Sequence, residues 1–345
     1  MRVLAGDIGG THARLAVVDI TRHTIRVVEA HAYASRDFPG LAPIVREFLA
    51  AAGATFDRAC FGVACPVVGG DCETPNLPWT ISARRLAAEI GIARTRVIND
   101  LDAIAYGIDR LGPGDVVTLQ PGRPVERGVV GIIGAGTGLG QAFLAWEGGR
   151  YRPRPSEGGH ASFAAANEVE WELQRHLAAR YGHVSAERVL SGPGLLNIYQ
   201  FLAERTPGRV APSVHAEVQR EGGVAVSRHA LAGTDGLCAD ALTIFAGAYG
   251  AQAGNLALTV LATGGVYVVG GIAPSIIDKL RDGTFIAAFR AKGRLADLLE
   301  RIPVHVVMNP SIGLFGAAVA ATDDIDLPDV AESAAAMGDG AARGR

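Results

Sequence analysis

Apolar and polar positions change their period several times along the chain, and each change marks an element. The run Val3-Leu4-Ala5 enters Gly6-Asp7-Ile8-Gly9-Gly10-Thr11, after which alternation resumes over residues 15–20, predicting strand, glycine-rich turn and strand. Beyond this hairpin the pattern predicts a helix over 43–52, a strand over 59–64 and a helix over 83–90 with Ser82 as its cap. A strand over 96–98 then enters a helix whose apolar positions Leu101, Ile104, Ala105, Ile108 and Leu111 share one face, so Asn99 and Asp100 stand at a strand-to-helix junction. Residues 112–127 are rich in Pro and Gly and form the candidate hinge to a second domain.

The second half opens with the same design. Residues 129–146 place Gly134-Ala135-Gly136-Thr137-Gly138-Leu139-Gly140 between two apolar runs. A helix starts at Asn167, with Glu170 completing a capping-box-like pair, and another follows Ser191-Gly192-Pro193 with Leu195, Ile198, Tyr199 and Leu202 on one side. The Ala- and Gly-rich stretch 239–262 carries Asp240, Gln252 and Asn255, which favours a buried helix over a membrane span. A strand over 266–269 meets Gly270-Gly271, which opens a helix over 274–280, and this corner is a candidate seat for an adenine ring or a plain connection. A strand over 304–308 and a helix over 312–321 follow, and residues 322–345 lack periodicity and read as a disordered tail. The alternation is that of an α/β protein.

With 345 residues, 49% hydrophobic and 19% charged, the chain can bury two domain cores. A net charge of −3 without long basic runs gives no footprint for nucleic acid or for an anionic membrane surface. A strand starting at residue 2 leaves no room for a secretory leader, and Cys60, Cys65, Cys72 and Cys238 lack paired metal-ligand spacing. The expectation is a cytoplasmic protein with reduced thiols.

The two glycine turns carry the first chemical signal. Backbone N–H groups in such turns approach phosphate oxygens without a Cβ in the way. A carboxylate at the mouth of the first turn would repel a nucleotide unless Mg²⁺ lies between, which makes Asp7 a candidate metal residue and leaves Thr137 and the N–H groups to serve the second turn. A dinucleotide fingerprint is excluded because Leu139 stands where its third glycine belongs, and a Walker loop because the lysines, Lys279 and Lys292, follow no such loop. Asn99, Asp100, Glu157, His160 and Glu187 are polar positions in apolar or glycine-rich surroundings. They suit a sugar, whose hydroxyls both donate and accept. Asp100, at a helix start that favours its ionised form, is the candidate base, with a role that is mainly positional.

Taken together, Gly6-Asp7-Ile8-Gly9-Gly10-Thr11, Ile98-Asn99-Asp100, the 134–140 turn, Ser156-Glu157-Gly158-Gly159-His160, Ser185-Ala186-Glu187-Arg188-Val189-Leu190-Ser191-Gly192 and Phe289-Arg290-Ala291-Lys292-Gly293-Arg294 resemble the bacterial glucokinase family, over about residues 3–321. The two turns alone are shared with the wider actin-like ATPase superfamily. The resemblance implies two ribonuclease H-like α/β domains flanking a cleft, with residues 1–110 joined by about 308–321 and a larger domain over 111–307. It implies ATP as co-substrate with Mg²⁺, a homodimer, and phosphorylation of glucose at its 6-hydroxyl as the first step of glycolysis. Its site residues map onto Asn99, Asp100, Glu157, His160 and Glu187 for glucose, with Asp100 as base. Those for ATP map onto Gly6, Asp7, Ile8, Gly9, Gly10, Thr11, Gly136, Thr137, Gly138, Gly270 and Gly271. His12 departs from the family's usual Asn and leaves the local hydrogen bonding of the first turn open. The alternatives are a kinase for a related hexose or amino sugar, and a sugar sensor without turnover.

Overall fold

The computed structural model describes residues 1–22, 24–74 and 77–323. The chain divides into two compact units. Unit 1 comprises Met1–Gly112 with the chain from Pro310 onward, and unit 2 is Pro113–Asn309.

In unit 1 the strands are β1 (Arg2–Ile8), β2 (His12–Ile20), β3 (Ile25–Ala34), β4 (Arg58–Val63), the short pair β5 (Asp71–Glu73) and β6 (Thr80–Ser82), and β7 (Arg94–Asn99). The main sheet runs β3-β2-β1-β4-β7, with β1, β2 and β3 antiparallel and β1, β4 and β7 parallel. Alternate residues of β1 and β2 face opposite sides, and both sides are buried. Leu4, Ile8, Leu15 and Val17 join the core that includes α1 (Leu41–Ala52) and α2 (Ala83–Ile90), while Val3, Ala5, Ala16 and Val18 join the one that includes the last helix of the unit. Ser82 is the residue before α2, but its side chain accepts no capping bond, because it is held as the last residue of β6. Helix α3 (Asp100–Gly107) follows β7 directly.

Unit 2 repeats this plan. Its strands are β8 (Val116–Gln120), β9 (Val130–Ala135), β10 (Leu139–Glu147), β11 (Arg150–Ser156), β12 (Gly265–Val269) and β13 (Val304–Val307), in the order β11-β10-β9-β12-β13-β8. The first three of that order are antiparallel, and β9, β12 and β13 are parallel. The internal duplication visible as two glycine hairpins is therefore a duplication of sheet topology, in the mixed order of ribonuclease H-like domains. Strand β8 lies within the stretch expected to be a hinge. It and β11 are edge strands, and the sequence Arg-Tyr-Arg-Pro-Arg-Pro-Ser of β11 can be a strand only because an edge tolerates proline.

Helices α4 (Glu168–Tyr181), α5 (Gly192–Arg205), α6 (Pro212–Glu221), α7 (Gly223–Leu231) and α8 (Gly236–Thr259) follow, then the short helices α9 (Ile272–Ser275), α10 (Ile277–Arg281), α11 (Thr284–Arg290) and α12 (Ala296–Arg301). Asn167 caps α4 by accepting from the Glu170 N–H at 3.0 Å, and Ser191 caps α5 by accepting from the Gly194 N–H at 3.0 Å. The long helix α8 is buried in the core of unit 2, and a Cβ at Gly254 would approach the Phe289 carbonyl oxygen to 2.5 Å. No helix among the described residues is long and apolar enough to cross a membrane.

Helix α13 (Ile312–Ala320) closes unit 1 against α3. A Cβ at Gly316 would overlap the Ala103 carbonyl oxygen, so the two helix backbones meet where no side chain fits. Thr322 is buried and donates to the Val319 carbonyl at 2.9 Å, which places the first residues of the expected tail in the folded unit. The remainder of that tail, 324–345, lies outside the described residues.

A further expectation fails at the cysteines. Cys65 and Cys72, both buried, form a disulfide across a sequence separation of 7, while Cys60 and Cys238 are free and buried. The connection after β4 folds back through β5, bringing together two thiols that spacing alone assigns no partner.

Candidate functional site

In unit 1 the first turn is built by β1 and β2. Gly6 lies inside β1, where a Cβ would strike the Phe61 ring, and the Ile8 side chain is in the core. These two residues shape the strand, and the turn itself is Gly9-Gly10-Thr11. The Gly9 N–H donates to the His12 carbonyl at 2.9 Å, so the local bonding that His12 left open is made by main chain. Ser35, fully buried, donates its hydroxyl to the Gly9 carbonyl at 2.9 Å, and its N–H to the Thr11 carbonyl at 3.0 Å. Ser35 thus clamps the turn from behind. Gly10 and Thr11 keep their N–H groups without an acceptor among the described residues, as a phosphate cradle requires.

Asp7 precedes this turn. Its Oδ2 accepts from Arg14 Nη2 at 2.7 Å, and the register of β1 and β2 sets the two residues opposite one another. No motif marks Arg14, although counting back from the hairpin, with Ile8 opposite Ala13, reaches the pair at once. Gly313, at the start of α13, has its Cβ position 3.1 Å from Asp7 Cγ, so any other residue there would press on the carboxylate.

Asn99 and Asp100 occupy the junction expected of them. The Leu101 N–H donates to Asn99 Oδ1 and to Asp100 Oδ1, each at 2.9 Å. Asn99 Nδ2 donates to the Cys65 carbonyl at 3.0 Å, tying the helix start to the disulfide-bonded segment. Burial raises the Asp100 carboxyl from its ordinary 3.8 to about 6, with the charges of Asp7 and Asp102 pushing the same way and the Leu101 N–H opposing. The helix start is expected to favour the ionised form, but the carboxyl is instead less acidic than an ordinary aspartate, because loss of solvent and the nearby carboxylates outweigh the backbone N–H groups of Leu101 and of Asp100 itself.

Unit 2 gathers Glu157, His160 and Glu187 beside the second turn. Glu187 Oε2 accepts the Leu139 N–H at 2.9 Å, and a Cβ on Gly138 would overlap that oxygen. His160 Nδ1 lies 4.0 Å from Glu187 Oε1, and its Nε2 lies 3.8 Å from Glu157 Oε2. Gly159 lets this loop close, since a Cβ there would overlap the Leu139 carbonyl oxygen. The Gly136 N–H donates to the Gly138 carbonyl at 2.8 Å, and the Gly136 carbonyl accepts the Gly192 N–H at 2.8 Å, so the turn is anchored to α5 and leaves Thr137 exposed. Gly270, with φ +85°, has its Cβ position 2.6 Å from the Ala135 carbonyl oxygen. It backs the strand that feeds the second turn, whereas Gly271 meets nothing within 4 Å.

Among the described residues no group of three or more His, Cys, Asp or Glu could cage an ion. A divalent cation would find Asp7 Oδ1, which makes no hydrogen bond to a described residue, and would complete its shell with water and phosphate oxygens. That donor set fits Mg²⁺, which keeps several waters and takes one or two carboxylates beside substrate phosphates.

The sequence model of the glucokinase family matches residues 4–324. A glucokinase of Trichormus variabilis is 42% identical over 336 residues, covering 92% of this chain and 98% of that protein, and one of Synechocystis is 43% identical over 344 residues, covering 92% and 97%. The crystal structure of a glucokinase from an Antarctic psychrotroph superposes with a TM-score of 0.83 at 30% identity, over 94% of this chain and 99% of that one. A ROK family glucokinase from Streptomyces griseus, solved in complex with glucose and AMPPNP, shares the fold with a TM-score of 0.64 at 23% identity, over 94% and 100%.

Proposed function

The chain belongs to the glucokinase family, and from that premise we propose that it transfers the γ-phosphoryl group of ATP to the 6-hydroxyl of D-glucose. The observation that carries the reading is Asp100, a half-buried carboxylate at a helix start whose pKa is pushed up to about 6. A base with that value is ionised near neutral pH, yet is a better proton acceptor than an ordinary aspartate. It takes the hydroxyl proton as the sugar oxygen bonds to phosphorus and the bond to the bridging oxygen of ADP breaks. The transition state is loose, so aligning the alcohol contributes more than base strength.

Asn99, Asp100, Glu157, His160 and Glu187 hold the sugar, the acids accepting from its hydroxyls. The Gly10 and Thr11 N–H groups, together with Thr137 and the Gly138 N–H, donate to phosphate oxygens, while Gly9 and Gly136, whose N–H groups are bonded within their own turns, shape the cradles, and the Gly270-Gly271 corner accommodates the base of the nucleotide. Asp7 holds Mg²⁺, directly or through water. When bound, the ion neutralises charge on the β- and γ-phosphates. The same reading makes the protein a cytoplasmic homodimer that supplies glucose 6-phosphate to glycolysis.

A coupled ADP-release assay over a panel of hexoses, with Mg²⁺ or EDTA, tests this. Mg²⁺-dependent turnover highest with glucose is expected. Turnover highest with another hexose or an amino sugar would move the substrate, and glucose binding without ADP release would make the protein a sensor.

A further inference from the structure

Arg14 has no role in the reaction as derived above, yet two hydrogen bonds fix its guanidinium. Nη2 donates to Asp7 Oδ2 at 2.7 Å and Nη1 to the Pro310 carbonyl at 3.1 Å. As directly opposed residues of an antiparallel pair, Asp7 and Arg14 project from the same face of the sheet. The pair is only partly covered, with the Arg14 side chain 43% exposed and that of Asp7 23%. Ion pairs so exposed add little to stability, so holding the fold together is a poor explanation for this one.

Electrostatics supplies a better explanation. An uncompensated Asp7 would face an incoming triphosphate with a like charge, beside a turn whose donors Gly10 and Thr11 are otherwise prepared for it. From this geometry we propose that Arg14 is a positioning residue, the resident counter-ion of Asp7. It holds Oδ2, leaves Oδ1 open to a divalent ion or its water, and lets a nucleoside triphosphate approach the first turn before any metal arrives. The inference rests on the reading that Asp7 faces the phosphates. It adds that the site is charge-balanced by a protein side chain in the metal-free state.

The test is binding of a fluorescent ATP analogue to the full chain, with EDTA or with Mg²⁺. In EDTA, Arg14→Gln weakens binding roughly ten-fold, the scale of removing one opposite-charge interaction in partly solvated surroundings. In Mg²⁺ the effect is smaller, because the ion compensates Asp7. Asp7→Asn alone tightens binding in EDTA and weakens it in Mg²⁺, and Asp7→Asn with Arg14→Gln recovers the wild-type affinity in EDTA. Arg14→Met removes the same charge and serves if Arg14→Gln does not fold, with thermal melting as the control. Unchanged EDTA affinity in Arg14→Gln overturns the proposal. So does a double variant as weak as Arg14→Gln, which would mean that Arg14 grips phosphate itself. Failure of the underlying reading looks different, since Asp7→Asn would then leave nucleotide affinity unchanged with and without Mg²⁺.

Discussion

Glu187 Oε2 accepts the Leu139 N–H at 2.9 Å, so a residue assigned to the sugar also closes the second glycine turn. Gly138 is required there because any Cβ would overlap the same carboxylate oxygen. Removing the acid leaves the Leu139 donor unpaired and frees the turn. Glu187→Ala should raise the KM for both glucose and ATP, each by about 10- to 100-fold, from the worth of a charge-assisted hydrogen bond. His160→Ala should raise only that for glucose. Steady-state kinetics with each substrate varied in turn checks this, and a Glu187→Ala enzyme with unchanged ATP KM would separate the two roles.

Asp100→Asn should keep glucose binding and lower turnover by roughly 10² to 10⁴, the usual worth of a positioned acid or base. Calorimetric glucose titration beside kcat distinguishes this from loss of the sugar site. Near-normal turnover in a folded variant would refute the base assignment.

The pH behaviour of Asp100 has a definite sign. Its folded value of about 6 lies above the ordinary 3.8, so between these values the folded protein binds more protons than the unfolded chain. The contribution of Asp100 to stability therefore falls as pH rises through that window, and its ionised form costs roughly 1–3 kcal/mol above it. Activity should run the other way, with kcat/KM for glucose rising to a plateau with an apparent pKa near 6. At pH 7.5 Asp100→Asn should melt at a higher temperature than the wild type and lose this acidic limb. A melting temperature that falls instead would show that burial is not what sets the Asp100 value.

Reduction of the Cys65–Cys72 bond should affect stability and sugar binding together. Closing a short loop with a sequence separation of 7 contributes roughly 2 kcal/mol by chain entropy. Asn99 donates to the Cys65 carbonyl, so loosening this segment also frees an amide that the proposed function assigns to the sugar. Cys72→Ser, or wild type in excess reductant, should melt several degrees lower and show a raised glucose KM with little change for ATP. Thermal melting with and without reductant checks the first part and kinetics the second.

The crossing of α3 and α13 predicts a purely structural variant. Gly316→Ala would place a methyl on the Ala103 carbonyl oxygen, and Gly107 meets the same helix with its Cβ position 2.8 Å from the Ile312 carbonyl oxygen. Neither backbone can retreat without opening the core around Leu314 and Ala317. A loss of about 2–4 kcal/mol in denaturant midpoint measurements is expected, from overpacking where two backbones meet.

What the sequence determined by itself is local. Two glycine turns between apolar runs, the cap at Asn167, the junction at Asn99 and Asp100 and the apolar periodicity of α5 and α8 all depend on neighbours within a few residues, where backbone sterics and periodicity decide. Motifs of that kind also carried the family. What the tertiary structure decided depends on partners far along the chain. Asn99 reaches Cys65 and Glu187 reaches Leu139 in this way, and even Cys65 and Cys72, with a sequence separation of only 7, meet because the connection after β4 folds back on itself. The strands β8 and β11 were illegible because an edge strand is held by the neighbour it pairs with, and its own composition is free to look like a loop. The ionisation of Asp100 is the sharpest case. A helix start predicts a stabilised anion, but the burial that overrides it is a property of the whole packed unit, and no window of sequence contains it.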